Sequence, residues 1–119
     1  AALAVQVRTR PRGDADPHRP LMWIGFCEFD YLLGDVHSLK QKRSVVRPIV
    51  ADLRKRYTVS AAEVGHLDVH RRTVIGVSAV AADRGHVVDV LDAVERSAAA
   101  HPEVELLSVR RRVVRSEDF

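Results

Sequence analysis

The chain has 119 residues, which fits one domain and is long enough to bury a hydrophobic core. Its composition is 46% hydrophobic and 29% charged, as in ordinary globular proteins, and no apolar run approaches the ~18–20 residues that cross a bilayer. The single cysteine, Cys27, excludes an intrachain disulfide and is typical of a reducing compartment. We therefore predict a cytoplasmic protein with no membrane partner.

The first residues predict an arm and not a folded element. Residues 11–20 mix proline, glycine and charge with no apolar period, so burial cannot offset their ordering entropy. The apolar start, residues 1–7, precedes its arginines, which is the reverse of the order in a secretory signal. We predict a disordered arm over 1–21, a folded domain over 22–115 and a short tail over 116–119.

The first half of the domain predicts a strand and then a helix. Apolar and polar residues alternate from Met22 to Leu33, which is typical of a strand. Ser38 is the predicted N-cap of a helix that reaches Tyr57. Pro48 lies inside this helix, so we expect a kink there or, alternatively, an opening turn followed by a helix that restarts at residue 44.

The second half predicts two strands, a helix and a last strand. Strands over 59–64 and 73–82 flank a polar loop of hairpin length. Asp83 caps a helix that ends near residues 101–102, and a strand over 104–114 follows. The order β-α-β-β-α-β predicts an α+β, ferredoxin-like fold: a four-stranded antiparallel sheet with both helices on one face. The other sheet face is left open.

Positive charge is concentrated in the first helix. Residues 37–57 hold seven Lys or Arg against the single acid Asp52, a net charge of +6, whereas the whole chain carries +3. Opposite charges usually alternate along a merely solvated helix face, and a concentrated basic surface attracts polyanions. We therefore predict RNA or phosphate contacts from this helix, made by Lys40, Lys42, Arg43, Arg47 and Arg54.

The aromatic residues predict how RNA would be contacted. The third strand has no aromatic residue, and Trp23, Phe29 and Tyr31 of the first strand are expected in the core. Base stacking on the sheet, the mode of common single-strand readers with this fold, is therefore not expected. We predict backbone contacts to shaped or double-stranded RNA. Further arginines extend the surface only if the fold brings them near: Arg71, Arg72, Arg110, Arg111, Arg112 and Arg115.

Motifs for catalysis or metal binding are weak. His66, Asp68 and His70 alternate in the hairpin loop after Glu63, a pattern that can direct several ligands at one metal ion, but hairpin loops are commonly polar and no second ligand cluster exists. Cys27 lies among apolar residues, which is typical of a structural thiol. No glycine-rich phosphate loop, carboxylate pair or serine elbow is present. We predict no catalytic residue, no metal, no cofactor and no enzymatic activity.

Four segments carry a resemblance to a known family: Met22-Trp23-Ile24-Gly25, Ser38-Leu39-Lys40-Gln41-Lys42-Arg43, Val59-Ser60-Ala61-Ala62-Glu63-Val64 and Val74-Ile75-Gly76. They resemble the YlxP-like family, catalogued as domain of unknown function 503. The similarity covers residues 22–114, and the arm before Met22 departs from the family's usual start. The resemblance implies a ferredoxin-like fold, bacterial origin and no assigned activity. Family members are commonly encoded beside translation initiation and small-subunit maturation factors.

Two functional hypotheses follow. The first is a module that binds RNA through the basic helix. Its partner would be ribosomal RNA or a small-subunit assembly particle. The second is a protein–protein or homodimerisation domain that uses the open sheet face, because an uncovered apolar sheet face favours a partner. In that case the basic helix of one copy could meet the acidic face of the second helix, formed by Asp89, Asp92 and Glu95, in another copy. The two hypotheses are compatible.

Overall fold

The computed structural model describes residues 21–119, so the predicted arm lies outside the described residues except for its last position. Six main elements follow one another, and a 3-10 turn occupies Ser116–Asp118 within the predicted tail. No helix in this described part is both long enough and apolar enough to span a membrane. The elements are β1 (Trp23–Leu33), α1 (Leu39–Arg56), β2 (Ser60–Gly65), β3 (Arg72–Ala81), α2 (Arg84–Ala99) and β4 (Val104–Arg115).

The strands form one antiparallel sheet in the order β2-β3-β1-β4, with β1 and β3 at the centre. This order and the succession of elements confirm the predicted α+β, ferredoxin-like fold. β4 carries a bulge opposite Asp30 and Tyr31, where the register between β1 and β4 shifts. Because β2 and β4 are the two edge strands, residues on them lie on opposite sides of the molecule.

Both helices begin at their predicted caps. The Ser38 hydroxyl accepts a hydrogen bond from the backbone N–H three residues on at 3.1 Å, and the Asp83 carboxylate does the same at 3.0 Å. α1 is one helix from Leu39 to Arg56, so the alternative of a restart at residue 44 is wrong. Its buried apolar residues continue on both sides of the exposed Pro48: Val46, Ile49, Val50 and Leu53. Packing of these residues in the core therefore keeps the helix continuous although Pro48 has no N–H to donate.

The core lies between the helices and one face of the sheet. At Gly25 an added Cβ would lie 2.7 Å from Leu91 Cδ1 and still closer to Val87, so a glycine lets α2 pack this closely on β1. The Tyr31 hydroxyl donates to the Ala98 carbonyl of α2 at 2.8 Å. The other buried residues of β1 alternate along its inward face, as predicted: Cys27, Phe29 and Leu33.

The opposite sheet face is open within residues 21–119. Two of its valines are well exposed, Val64 by 54% and Val80 by 61%. Charged side chains on this face pair across neighbouring strands: Arg72 Nη2 lies 2.8 Å from Asp30 Oδ2, and Arg110 pairs with Glu28. The face is therefore a mixture of internally paired charge and exposed aliphatic groups.

Candidate nucleic-acid interface

Four of the five predicted phosphate-binding residues lie together on α1. Lys40, Arg43, Arg47 and Arg54 are exposed and recur at steps of three, four and seven residues, which places them on one side of the helix. We call these four residues the basic stripe. It is about 21 Å long at the rise of an α-helix. Lys40, Arg43 and Arg47 have no ion-pair partner among the residues that the structure describes.

The stripe borders a groove between α1 and β2 with a volume of about 550 Å³. Arg54 is fixed beside this α1–β2 groove because its Nε donates to the backbone carbonyl of Ala61 at 2.9 Å. That carbonyl belongs to the edge strand β2, so Arg54 also occupies an acceptor that an added strand would need. The groove is lined by Arg43, Val46, Arg47, Val50, Ala51, Arg54, Ala62 and Glu63.

Lys42, the fifth predicted residue, is buried and does not belong to the stripe. Its residue is 2% exposed, and its Nζ lies 2.9 Å from Glu63 Oε2 and donates to the His66 carbonyl at 2.6 Å. Glu63 Oε2 also accepts a hydrogen bond from Thr73 Oγ1 at 2.6 Å. The prediction of a direct phosphate contact by Lys42 is therefore corrected: an ammonium with these two partners under the helix is not available at the surface. Phosphate binding by the other four residues stays a prediction.

The arginines outside α1 do not extend the stripe. Arg71 donates to the carbonyls of Leu33 and Gly34, and Arg72 pairs with Asp30. The β4 arginines lie along the edge opposite β2, and three of them have acidic partners. These three are Arg110 with Glu28, Arg111 with Asp92 and Glu95, and Arg115 with Glu117 and Asp118.

The acidic face of α2 is less available than predicted. Arg111 Nη1 lies 2.7 Å from Asp92 Oδ1 and 3.8 Å from Glu95 Oε2, and its Nη2 donates to the Val88 carbonyl at 3.2 Å. Two of the three predicted acidic residues are therefore engaged by β4 of the same chain. This pairing weakens the idea that α2 of one copy receives α1 of another.

The hairpin loop does not assemble the considered metal ligands. Glu63 turns under α1 to Lys42, and His66 has a φ of 54°, a left-handed conformation that ends the alternation on which the pattern depended. Asp68 and His70 are exposed in the loop. Over residues 21–119, no three His, Cys, Asp or Glu side chains lie close enough to hold a metal ion.

Cys27 is a buried thiol, as predicted from its apolar neighbours. Burial is the main reason that its pKa rises from 9.0 to about 11; the neighbouring carboxylates of Glu95 and Asp92 also raise the pKa, and Arg111 lowers it. At neutral pH the thiolate is therefore scarce, which does not favour a nucleophilic role.

The open sheet face carries a broader depression of about 760 Å³ over Gly76. Val64 forms one wall, and Phe26 of the central strand β1 forms another. The guanidinium carbon of Arg110 lies 5.1 Å from the centroid of the Phe26 ring, so this aromatic face is already covered by a cation. Trp23 is partly buried against the core, and Phe29 and Tyr31 are fully buried, which confirms their predicted place.

Fold and surface together define a small α+β, ferredoxin-like domain with a one-sided basic helix. The chain belongs to the DUF503 family of proteins of unknown function, whose family model matches residues 24–111. It is 33% identical to the uncharacterised protein YlxP of Bacillus subtilis (strain 168) over 96 residues, which cover 81% of this chain and 99% of that protein. The resemblance seen in the sequence is therefore confirmed, and it carries no assigned activity.

Proposed function

We propose that this protein is a non-enzymatic RNA-binding module that contacts the phosphate backbone of structured RNA, in ribosomal or small-subunit assembly particles, through the basic stripe. The observation that carries the proposal is the contrast in pairing. Lys40, Arg43 and Arg47 are exposed without acidic partners in the described part of the chain, whereas most β4 arginines are neutralised within the fold. Cations without partners keep their full attraction for polyanions.

The surroundings of the stripe favour a phosphate backbone over an extended peptide. A peptide that added a strand to β2 would need the Ala61 carbonyl, which already accepts a hydrogen bond from Arg54. A phosphodiester needs only donors and positive charge, and arginine supplies both in a planar fork.

Backbone contact is also favoured over base stacking. Phe26 is the aromatic residue of β1 that faces the open side of the sheet, and Arg110 lies over its ring. A base would have to displace this cation before it could stack. Helical RNA offers phosphates at a regular surface without unstacked bases, which fits a stripe of charge about 21 Å long.

The test compares two triple variants with the same loss of charge. One is Lys40→Ala, Arg43→Ala and Arg47→Ala, and the control is Arg110→Ala, Arg112→Ala and Arg115→Ala on the opposite edge. Binding to a short mixed-sequence RNA duplex and to small ribosomal subunits is measured between about 50 and 200 mM salt. We expect the stripe variant to lose about three units of the slope of log affinity against log salt, one for each phosphate contact. The control should stay near the wild type.

The same comparison can reject the proposal. Equal losses in both variants would indicate attraction by net charge without a site. Unchanged binding in the stripe variant would exclude α1 as the RNA-binding surface.

We also propose self-association through the open sheet face as a second candidate function, compatible with the first. The exposed valines Val64 and Val80 support it, because aliphatic groups on an open sheet favour burial against a second copy. Sedimentation should then show a dimer that Val80→Glu dissociates. A monomer at high protein concentration would exclude this candidate without affecting the first.

A further inference from the structure

A buried ion pair lies beneath the α1–β2 groove. Glu63 lines the groove, and its side chain is 25% exposed, whereas the Lys42 side chain below it is 3% exposed. The two are joined at 2.9 Å between Lys42 Nζ and Glu63 Oε2. The Glu63 side chain is therefore partly accessible from the groove, whereas the Lys42 ammonium that neutralises it is buried.

Glu63 is the acid among the residues that line this groove, beside three arginines. Without a counter-ion it would repel a phosphate directly. It would also be drawn to the nearest arginines, which would then pair with Glu63 in place of RNA. The Lys42 ammonium prevents both effects because it holds the carboxylate from below, and Thr73 Oγ1 donates to the same oxygen at 2.6 Å.

We infer that Lys42 is a positioning residue for polyanion binding: it neutralises Glu63 and holds it away from Arg43, Arg47 and Arg54, without touching the RNA. The inference rests on the proposed function and deepens it. It also gives Lys42 a role different from the direct phosphate contact that the sequence predicts. The two roles differ in what happens when both partners of the pair are removed.

The experiment uses the full chain in four forms: wild type, Lys42→Met, Glu63→Gln, and the double variant with both substitutions. The probe is a short mixed-sequence RNA duplex, titrated over the salt range from about 50 to 200 mM. We expect Lys42→Met to weaken binding about threefold or more and to lower the salt slope by about one unit. Glu63→Gln should bind at least as tightly as the wild type, because the groove then gains net positive charge.

The double variant decides between the two roles. If Lys42 acts through Glu63, the double variant binds like the wild type, since the charge in the groove is the same. If Lys42 contacts phosphate itself, the double variant still lacks that contact, so its salt slope stays about one unit below that of the wild type and the inference is overturned.

Folding and the proposed function are tested separately. Replacing both members of a buried ion pair by neutral groups is commonly tolerated, so the double variant remains informative even if Lys42→Met does not fold. If the wild type itself does not bind RNA, or if the stripe variant binds as well as the wild type, the proposed function fails. Wild-type binding that depends on the stripe, with a weak double variant, overturns only the role of Lys42.

Discussion

Helix α1 and strand β4 are both rich in arginine, but they use it in opposite ways. On β4, Arg110, Arg111 and Arg115 each face at least one carboxylate of the same chain. On α1, Arg43 and Arg47 face solvent, and the structure gives them no acidic partner within residues 21–119. α1 packs against the edge strand β2, and β4 is the opposite edge strand. The two sets of arginines therefore form two separate basic surfaces.

The comparison shows that the number of basic residues in an element does not tell how many of them are left without an acidic partner. β4 pairs with the central strand β1, which carries Glu28 and Asp30, and it also borders the acidic residues of α2. Arginines on β4 therefore form ion pairs within the fold. α1 has Asp52 as its acid, and that residue pairs with Arg56 at 3.5 Å near the end of the helix. The residues of the stripe differ in having no ion-pair partner among the described residues, because the nearby acid Glu63 is paired with Lys42.

The largest effect is expected from the buried cation of α1. Lys42→Met should lower the free energy of unfolding by about 3 kcal/mol or more, because Glu63 and the His66 carbonyl lose their buried partner. Lys40→Met, on the exposed side of the same helix, should change it by less than about 0.5 kcal/mol. Urea unfolding of both variants measures the difference. Equal small effects would mean that Lys42 is not held as described.

The next effect concerns Cys27, which lies opposite Arg111 in the register of β1 and β4. Because burial raises the pKa of the folded-state thiol from 9.0 to about 11, the folded protein retains a proton that the unfolded chain releases over this range. The associated stability is present below pH 9 and is lost as the pH rises towards 11, by about 2 to 3 kcal/mol.

Unfolding of Cys27→Ala at a series of alkaline pH values checks this expectation. The variant should lose less stability than the wild type over that range. A variant that loses as much would show that Arg111, although engaged by two carboxylates, still holds the pKa of this thiol near its ordinary value.

A smaller effect is expected at the most deeply placed β4 arginine. Arg111→Met should cost about 1 to 3 kcal/mol of stability, since Asp92, Glu95 and the Val88 carbonyl lose a shared donor. Arg112→Met, which lies exposed beside it, should cost less than about 0.5 kcal/mol. Thermal unfolding at low salt compares the two. A cost for Arg112→Met as large as that for Arg111→Met would contradict the distinction between paired and unpaired arginines.

The smallest expected effect is a stability change of opposite sign when an arginine of α1 or of β4 is replaced by glutamate. Arg47→Glu should stabilise the fold by about 0.3 kcal/mol, because it creates an ion pair with Arg43 four residues away on α1. Arg110→Glu should destabilise it by about 0.5 kcal/mol, because it places two acids side by side with Glu28 across the strands. Chemical denaturation of the two variants at low salt measures both changes. The same sign for both would show that the two regions do not differ in their electrostatics.

Much of this molecule is predictable from local pattern. Alternation and helical spacing predict every main element to within a few residues, and the two caps follow from short polar side chains placed before apolar stripes. The stripe itself follows from spacing, because its four members share one side of a helix. The bulge in β4 does not, since it depends on the register with β1.

Lys42 is the instructive failure. It precedes the buried residues Val46, Ile49 and Leu53 by four, seven and eleven positions, so its spacing already places it on the core side of α1. The positive charge of Lys42 nevertheless predicts a place at the surface, which is wrong. Its partner Glu63 lies in the predicted strand over 59–64 and is considered there only beside the loop residues as a possible metal ligand; only the packing of β2 beneath α1 brings Glu63 and Lys42 together. Contacts between residues distant in sequence are not visible in local periodicity.

The two ends of the folded domain are tied together. The Ser116 N–H donates to the Met22 carbonyl at 2.8 Å, one residue before β1 and one after β4. Neighbouring ends make a domain suitable for insertion into another protein and for circular permutation. A chain joined between these two ends and opened instead within the exposed residues 67–70 would keep every strand pairing of the sheet and the His66 carbonyl that Lys42 binds. The permuted domain, with its α1–β2 groove intact, is then suitable for insertion into an unrelated protein.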